Sequence, residues 1–275
     1  MKFPIDILPL LPVLNDKLVS FLKSLSPEDW HRQTVARKWK IKDVAAHLLD
    51  TSYRRIALHR DGWSVSPDTP VTSYAEMVQY LNELNADWVK ATKRLSPQII
   101  IELLESTNEE VYTIFKNLDP FGPSIWPVSW AGEDHSYNWF DIAREYTERW
   151  LHHQQIREAI GNIDLLSKEF YYPFLDIFMQ AWPVTMKGMG KEGDVLKTVI
   201  TGEGGGEWFL KMQNSKWLIQ QGGTDTCITE TIIDGNIAWK LFSKSVRKED
   251  INGSFEIKGD HVLGQKVLDM VSVMA

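Results

Sequence analysis

Apolar residues recur at spacings of three and four through the first ~165 positions, the period of a helical face. Between Ile5 and Leu25 the positions Ile7, Leu10, Leu11, Leu14, Leu18, Phe21, Leu22 and Leu25 share one side and predict a first helix. A second is expected from Trp39 to His59, carrying Val44, Leu48 and Ile56. Ser73 followed by Glu76 has the spacing of a capping box and predicts a third, running to Leu95. Ser96-Pro97 places a cap before a proline at the first helical position, and Ile99, Leu103 and Val111 continue that helix to about Asn117. Trp139 to Ile160 predicts a fifth helix, closed by Gly161-Asn162.

Asp119 to Tyr137 breaks the pattern. Pro120, Gly122, Pro123 and Pro127 exclude a regular helix, yet the stretch holds Phe121, Trp126 and Trp130. An aromatic loop of this length packs over a site or anchors itself on the helices.

Beyond about residue 165 the period changes. Lys168 to Ala181 predicts one more helix, stopped by Pro183. Val195 to Thr201, Glu207 to Gln213, Lys216 to Gln220 and Phe255 to Lys258 read as strands, with Gly204-Gly205-Gly206 a hairpin turn between the first two. That glycine run lacks the Lys-Ser/Thr of a phosphate loop and does not open a helix. Glu230 to Phe242 and His261 to Val273 are expected to be helices. The fold class expected is therefore α+β in two domains: a helical bundle over 1–165 and a small α/β domain over 166–275.

Composition narrows the function. Thirty Lys and Arg face 37 Asp and Glu, a net charge of −7 with no basic block, so nucleic acid is not an expected partner. No apolar run reaches the length of a membrane span. The prolines and Asp6 near the start argue against a signal peptide, and the single Cys227 suits a reducing compartment, so a cytoplasmic protein is expected. One cysteine also excludes an internal disulfide or a cysteine-rich zinc site. The sequence leaves oligomeric state open.

Of the seven histidines, His47 and His152 sit within predicted helices in suggestive company. Glu148 and His152 are four apart and so lie on one helical face, a spacing that suits two ligands of one metal. His153 has Arg149 four residues back, a cation that would repel a metal, and is expected to turn away. Spacing alone leaves the matter open: a Glu–His pair is also a common surface contact, and His47 could be a hydrogen-bonded core histidine. Two histidines and a carboxylate would leave coordination positions free, the arrangement of a catalytic zinc site, although other divalent ions suit the same donors.

The stretches Trp39 to Leu48 and Glu148 to Arg157, together with the C-terminal Gly259-Asp260 and Val271 to Ala275, resemble the DinB/YfiT-like metalloprotein superfamily. Within it the chain is most similar to the mycothiol-dependent maleylpyruvate isomerase branch. That resemblance implies a DinB-like up-down four-helix bundle joined to a sterol-carrier-like α/β domain. It implies zinc held by His47, Glu148 and His152, and a low-molecular-weight thiol that adds to a small electrophilic substrate for isomerisation or thiol transfer. Cys227 is read as a small buried residue, so the thiol would come from outside. The resemblance also implies a C-domain arginine serving the site. Arg247, the only arginine after Arg157, is the one this chain offers, although a solvated charge beside Lys244 and Lys248 is the plainer reading.

Trp126 and Trp130 on the proline-rich loop are pocket candidates, whereas Trp139 and Trp150 are read as core. Asn82 and Asn85, with Trp88, are candidates to face the site. Two further functions fit the same residues: a non-catalytic binder of metal or apolar ligand, and a zinc-water hydrolase.

Overall fold

The computed structural model describes residues 5–220, 222–223 and 226–274. The chain forms two compact units. One runs to Gly122 and adds Glu148–Ile163; the other comprises Pro123–Thr147 and Asp164–Val273. The boundary thus falls inside one long helix.

The first unit is helical. Helix α1 (Leu10–Ser24) buries Leu11, Leu14, Leu18 and Leu22, the expected stripe, but begins after the prolines that precede it. In α2 (Ile41–Asp61) the Asp43 carboxylate accepts the Lys40 backbone N–H at 3.0 Å, and the helix ends on Gly62 at φ +65°. The box before α3 (Tyr74–Thr92) forms as the spacing predicts. Ser73 Oγ accepts the Glu76 N–H at 3.2 Å, and Glu76 Oε2 accepts the Ser73 N–H at 3.2 Å. Ser96 caps α4 (Pro97–Asn117), with Pro97 in its first turn. Helix α2 packs against α3 and α4, and α1 packs against α4. Leu18, Leu22, Ile41, Val44, Leu48, Ile100 and Leu104 share a core with Ile156. That last residue belongs to α5 (Asn138–Glu158), whose C-terminal half completes this unit.

In the second unit, α6 (Lys168–Phe178) passes into a 3-10 turn over Met179–Ala181 and a short α7 (Trp182–Thr185). Pro183 sits in the first turn of α7, where its missing N–H costs nothing, so it restarts a helix as well as ending one. Strands β1 (Val195–Ile200), β2 (Gly206–Gln213), β3 (Lys216–Gln220), β4 (Thr229–Ile233) and β5 (Phe255–Gly259) form a sheet of order β3-β2-β1-β4-β5. Only the central β1–β4 pair is parallel. The glycine run joins β1 to β2, and a Cβ on Gly205 would stand 2.0 Å from the Ile200 carbonyl oxygen, so the turn admits no side chain there.

Two expectations need correction. Glu230 to Phe242 is not one helix: Thr229–Ile233 is strand β4, and α8 (Gly235–Phe242) starts only after Asp234, whose Oδ1 accepts the Asn236 N–H at 2.7 Å. The β-branched run Thr231-Ile232-Ile233 favours the pleated partner β1 over a helical turn. The closing helix α9 (His261–Val267) is shorter than predicted. Among the described residues, no helix is long and apolar enough to cross a membrane.

Candidate metal centre

His47 lies on α2 and Glu148 and His152 on α5, and packing of these two helices brings the three side chains together. His47 Nε2 stands 3.0 Å from Glu148 Oε1, and His152 Nε2 stands 3.2 Å from the same oxygen. One donor atom from each falls within 4.8 Å of the other two. The imidazole centroids are 4.6 Å apart and nearly perpendicular, and the half-buried Trp39 ring lies against both, at 4.7 and 5.9 Å. Both histidines are buried, while the Glu148 side chain keeps 34% of its surface exposed. The cluster is therefore walled by an aromatic ring but reached by solvent at its carboxylate.

Arg149, one residue from Glu148, fixes where α5 sits. Its buried guanidinium donates to Asn15 Oδ1 at 3.1 Å, Asn108 Oδ1 at 2.6 Å and Ser52 Oγ at 3.0 Å, tying α5 to α1, α4 and α2. Hydrogen bonds of this geometry set the rotation of the helix, and with it the direction of Glu148 and His152.

Protonation follows from the surroundings. Burial pushes the His47 imidazole down to about 4, and the nearby charges of His152 and Arg54 act in the same direction against the contacts with Glu148. Partial burial alone would raise the Glu148 carboxyl, but the two imidazoles hold it well below the usual range. For His152 burial works against the charged form, yet Glu148 and Gln155 outweigh it and the pKa is raised.

Gln155 explains the asymmetry between the histidines. Its Oε1 lies 2.9 Å from His152 Nδ1, and an amide oxygen only accepts, so Nδ1 carries hydrogen. The Nε2 lone pair of neutral His152 then points at a carboxylate oxygen. That arrangement is repulsive unless a cation, either a proton or a metal ion, lies between them. His47 Nδ1 is buried and has no hydrogen-bond partner among the described residues. The donor set fits a divalent ion: two Nε2 atoms and a carboxylate, with N···O separations close to the ~3.4 Å edge of a tetrahedron whose ligand bonds are about 2.1 Å.

The other candidates have partners of their own. Asn82 is exposed, and its Nδ2 donates to the Val78 carbonyl of its own helix at 2.9 Å, so it does not face the cluster. Asn85 is buried and accepts from Arg54 Nη2 at 3.2 Å. Trp88 donates through Nε1 to the Ala46 carbonyl at 2.7 Å, clamping α3 to α2 beside His47. Trp126, Trp130 and Arg247 belong to the other unit. There Trp130 is buried against Phe140 and Phe178, at 6.0 and 6.1 Å, while Trp126 lies at the surface. Arg247 is 69% exposed, and its Nε and Nη2 donate to Asp250 at 2.9 and 3.1 Å. Cys227 is half-buried rather than sealed in the core. His153 is fully buried and accepts from Arg157 Nε at 2.7 Å; the cation that faces it is thus Arg157, not Arg149. Gln155 and Arg54 escaped the sequence reading, although both stand at helical spacing from a candidate histidine.

A family profile described as the mycothiol maleylpyruvate isomerase N-terminal domain matches residues 11–157, more than half of the chain. The chain belongs to that family. The matched segment runs from α1 to α5, and His47, Glu148 and His152 lie within it. The crystal structure of the mycothiol-dependent maleylpyruvate isomerase is similar over 88% of this chain and 89% of its own, with a TM-score of 0.52 and 9% identity. A histidine-to-alanine variant of that enzyme gives 0.51 and 10% over 87% and 88%. At such identity the likeness shows a shared fold. A sterol carrier protein domain 2 from Helicoverpa armigera overlaps 39% of the chain at a TM-score of 0.26, too low to carry an argument. Comparison with curated proteins gives no match.

Proposed function

We propose that this member of the mycothiol maleylpyruvate isomerase N-terminal domain family is a metal-dependent enzyme. It would use an exogenous low-molecular-weight thiol to isomerise, or transfer the thiol to, a small electrophile. The observation that carries the reading is the convergence of His47 Nε2 and His152 Nε2 on one oxygen of a half-open carboxylate. His47, Glu148 and His152 would hold the ion, with zinc the metal expected for this donor set. When bound, such an ion lowers the pKa of a coordinated thiol or water enough to supply the nucleophile near neutral pH.

The chain's own residues set the conditions for that chemistry. Gln155 keeps hydrogen on His152 Nδ1 and so leaves Nε2 as the donor. Glu148 supplies the negative charge that makes a cation welcome. Trp39 shields the imidazoles from water on one side.

Elemental analysis of freshly purified protein, followed by turnover assays pairing small thiols with electrophiles, tests the proposal. The expected result is about one divalent ion per chain and turnover that requires both metal and thiol. Turnover of ester or amide substrates without thiol would replace it with a hydrolase. Saturable ligand binding with no product under any pairing would replace it with a binding protein.

A further inference from the structure

The χ2 torsion of a histidine is broad, so the direction of its donor nitrogen needs a restraint from outside the side chain. His152 has one in the Gln155 amide at its Nδ1. His47 has none of that kind, because its Nδ1 is buried without a hydrogen-bond partner among the described residues. The Glu148 oxygen 3.0 Å from His47 Nε2 touches the donor atom itself, so it is no independent support once an ion lies between them. The Trp39 indole is placed differently. Its ring centre stands 4.7 Å from that of His47, tilted by 43°, and 5.9 Å from that of His152. A ring packed this closely resists rotation of the imidazole beside it.

Trp39 is itself pinned. It lies near the end of a short loop whose neck is an antiparallel bridge between Gln33 and Lys40. Its carbonyl oxygen accepts from the Thr34 N–H at 3.2 Å, from Thr34 Oγ1 at 2.8 Å and from Gln33 Nε2 at 2.7 Å. Its own N–H donates to the Ala36 carbonyl at 2.8 Å. The Gln33 amide nitrogen also stands 3.2 Å from the carbonyl oxygens of Thr34, Ala36 and Arg37. One exposed side chain thus gathers four main-chain oxygens, while the buried Thr34 adds a hydroxyl to the same point. The bridge alone would close the loop. The extra donors converge on the loop residue whose ring meets the two imidazoles.

We infer that Trp39 is the positioning residue of His47, and that Gln33 and Thr34 keep it in place by locking its carbonyl. The indole does for His47 by packing what Gln155 does for His152 by a hydrogen bond. The inference rests on the metal centre of the proposed function and adds the residues that aim its second imidazole. Such a support never touches the ion, yet it sets the affinity of the ligand it orients.

The test measures zinc affinity by chelator competition and records the visible spectrum of cobalt(II)-loaded protein, which responds to the direction of the ligands. W39A is expected to weaken zinc about tenfold and to change the cobalt spectrum, while W39F, which keeps a ring, stays near wild type. Q33A and T34V should each weaken zinc less than W39A does, and T34S should restore the wild-type value. Should W39A fail to fold, the Q33A/T34V double variant decides in its place. Wild-type affinity and spectrum in W39A, or in the double variant, would overturn the inference. So would a lower melting temperature of the metal-free W39A protein with zinc affinity unchanged, since that is a structural role only. Failure of the enzymatic reading looks different. Metal binding that responds to W39A as expected, with no turnover under any thiol and electrophile pairing, would remove the enzyme and leave Trp39 as a positioning residue. A wild type that takes up neither zinc nor cobalt would overturn both.

Discussion

His152 and His153 are neighbours on α5, both buried, and their environments could hardly differ more. His152 faces a carboxylate and a second imidazole, and its pKa is raised. His153 faces Arg157, whose Nε donates to it at 2.7 Å and whose guanidinium lies 4.1 Å from the Phe21 ring centre; burial first, and then the Arg157 charge, hold its pKa well below the usual value. One residue turns the side chain by about 100° around the helix, and that rotation separates a cation-seeking imidazole from one kept neutral as an acceptor. Carboxylates show a parallel contrast. Glu148 is held low by two imidazoles, whereas burial pushes Asp176 of the other unit up, with only the Trp208 indole N–H, at 2.8 Å, opposing it.

The largest effect should come from the His152 side. H152A or E148Q is expected to lose the copurifying ion almost entirely while H153A keeps it, as read by elemental analysis after gel filtration. Equal metal content in H152A and H153A would erase the distinction between the two faces. Next comes the lock on the tautomer. Q155L should weaken zinc binding by about 10–100-fold in a chelator competition, since an outer partner orients the ligand without touching the ion. An unchanged affinity would mean that His152 needs no such support.

On the opposite face the cost should appear in stability. H153A removes the acceptor of a buried guanidinium N–H and is expected to lower the unfolding free energy by about 1–3 kcal/mol in urea titrations. A loss of metal together with that destabilisation would show that the two faces are not independent.

The smallest effect is expected at Asp176. A carboxyl whose folded pKa is raised binds its proton more readily folded than unfolded. The stability it contributes is therefore full below the ordinary value of 3.8 and is lost as pH rises through the raised value. D176N keeps an acceptor for Trp208 and removes that loss. Its melting temperature should exceed that of wild type at pH 7 and approach it near pH 3.5. A constant difference across that range would show that the buried charge is not the cause.

Elements whose signals are local were legible in advance. The Ser73/Glu76 box and the Ser96-Pro97 start each involve residues within one turn, and both form where the spacing put them. Strand β4 was misread because its partner β1 lies some thirty residues earlier, so β-branching was the only local trace of it. In the candidate site, the helical register of Glu148 and His152 could be read from spacing. Gln155 and Arg54 could not be singled out, because glutamines and arginines at three- and seven-residue offsets occur on most exposed helices.

The sequence by itself determined that Glu148 and His152 share a helical face. That follows from a fixed rotation per residue, which needs no knowledge of neighbours. Only the tertiary structure decided that α2 and α5 meet with His47 opposite that face, through the Arg149 contacts to Asn15, Asn108 and Ser52. A distance of 3.0 Å between side chains 101 residues apart is a property of packing, since chain connectivity at that separation constrains almost nothing.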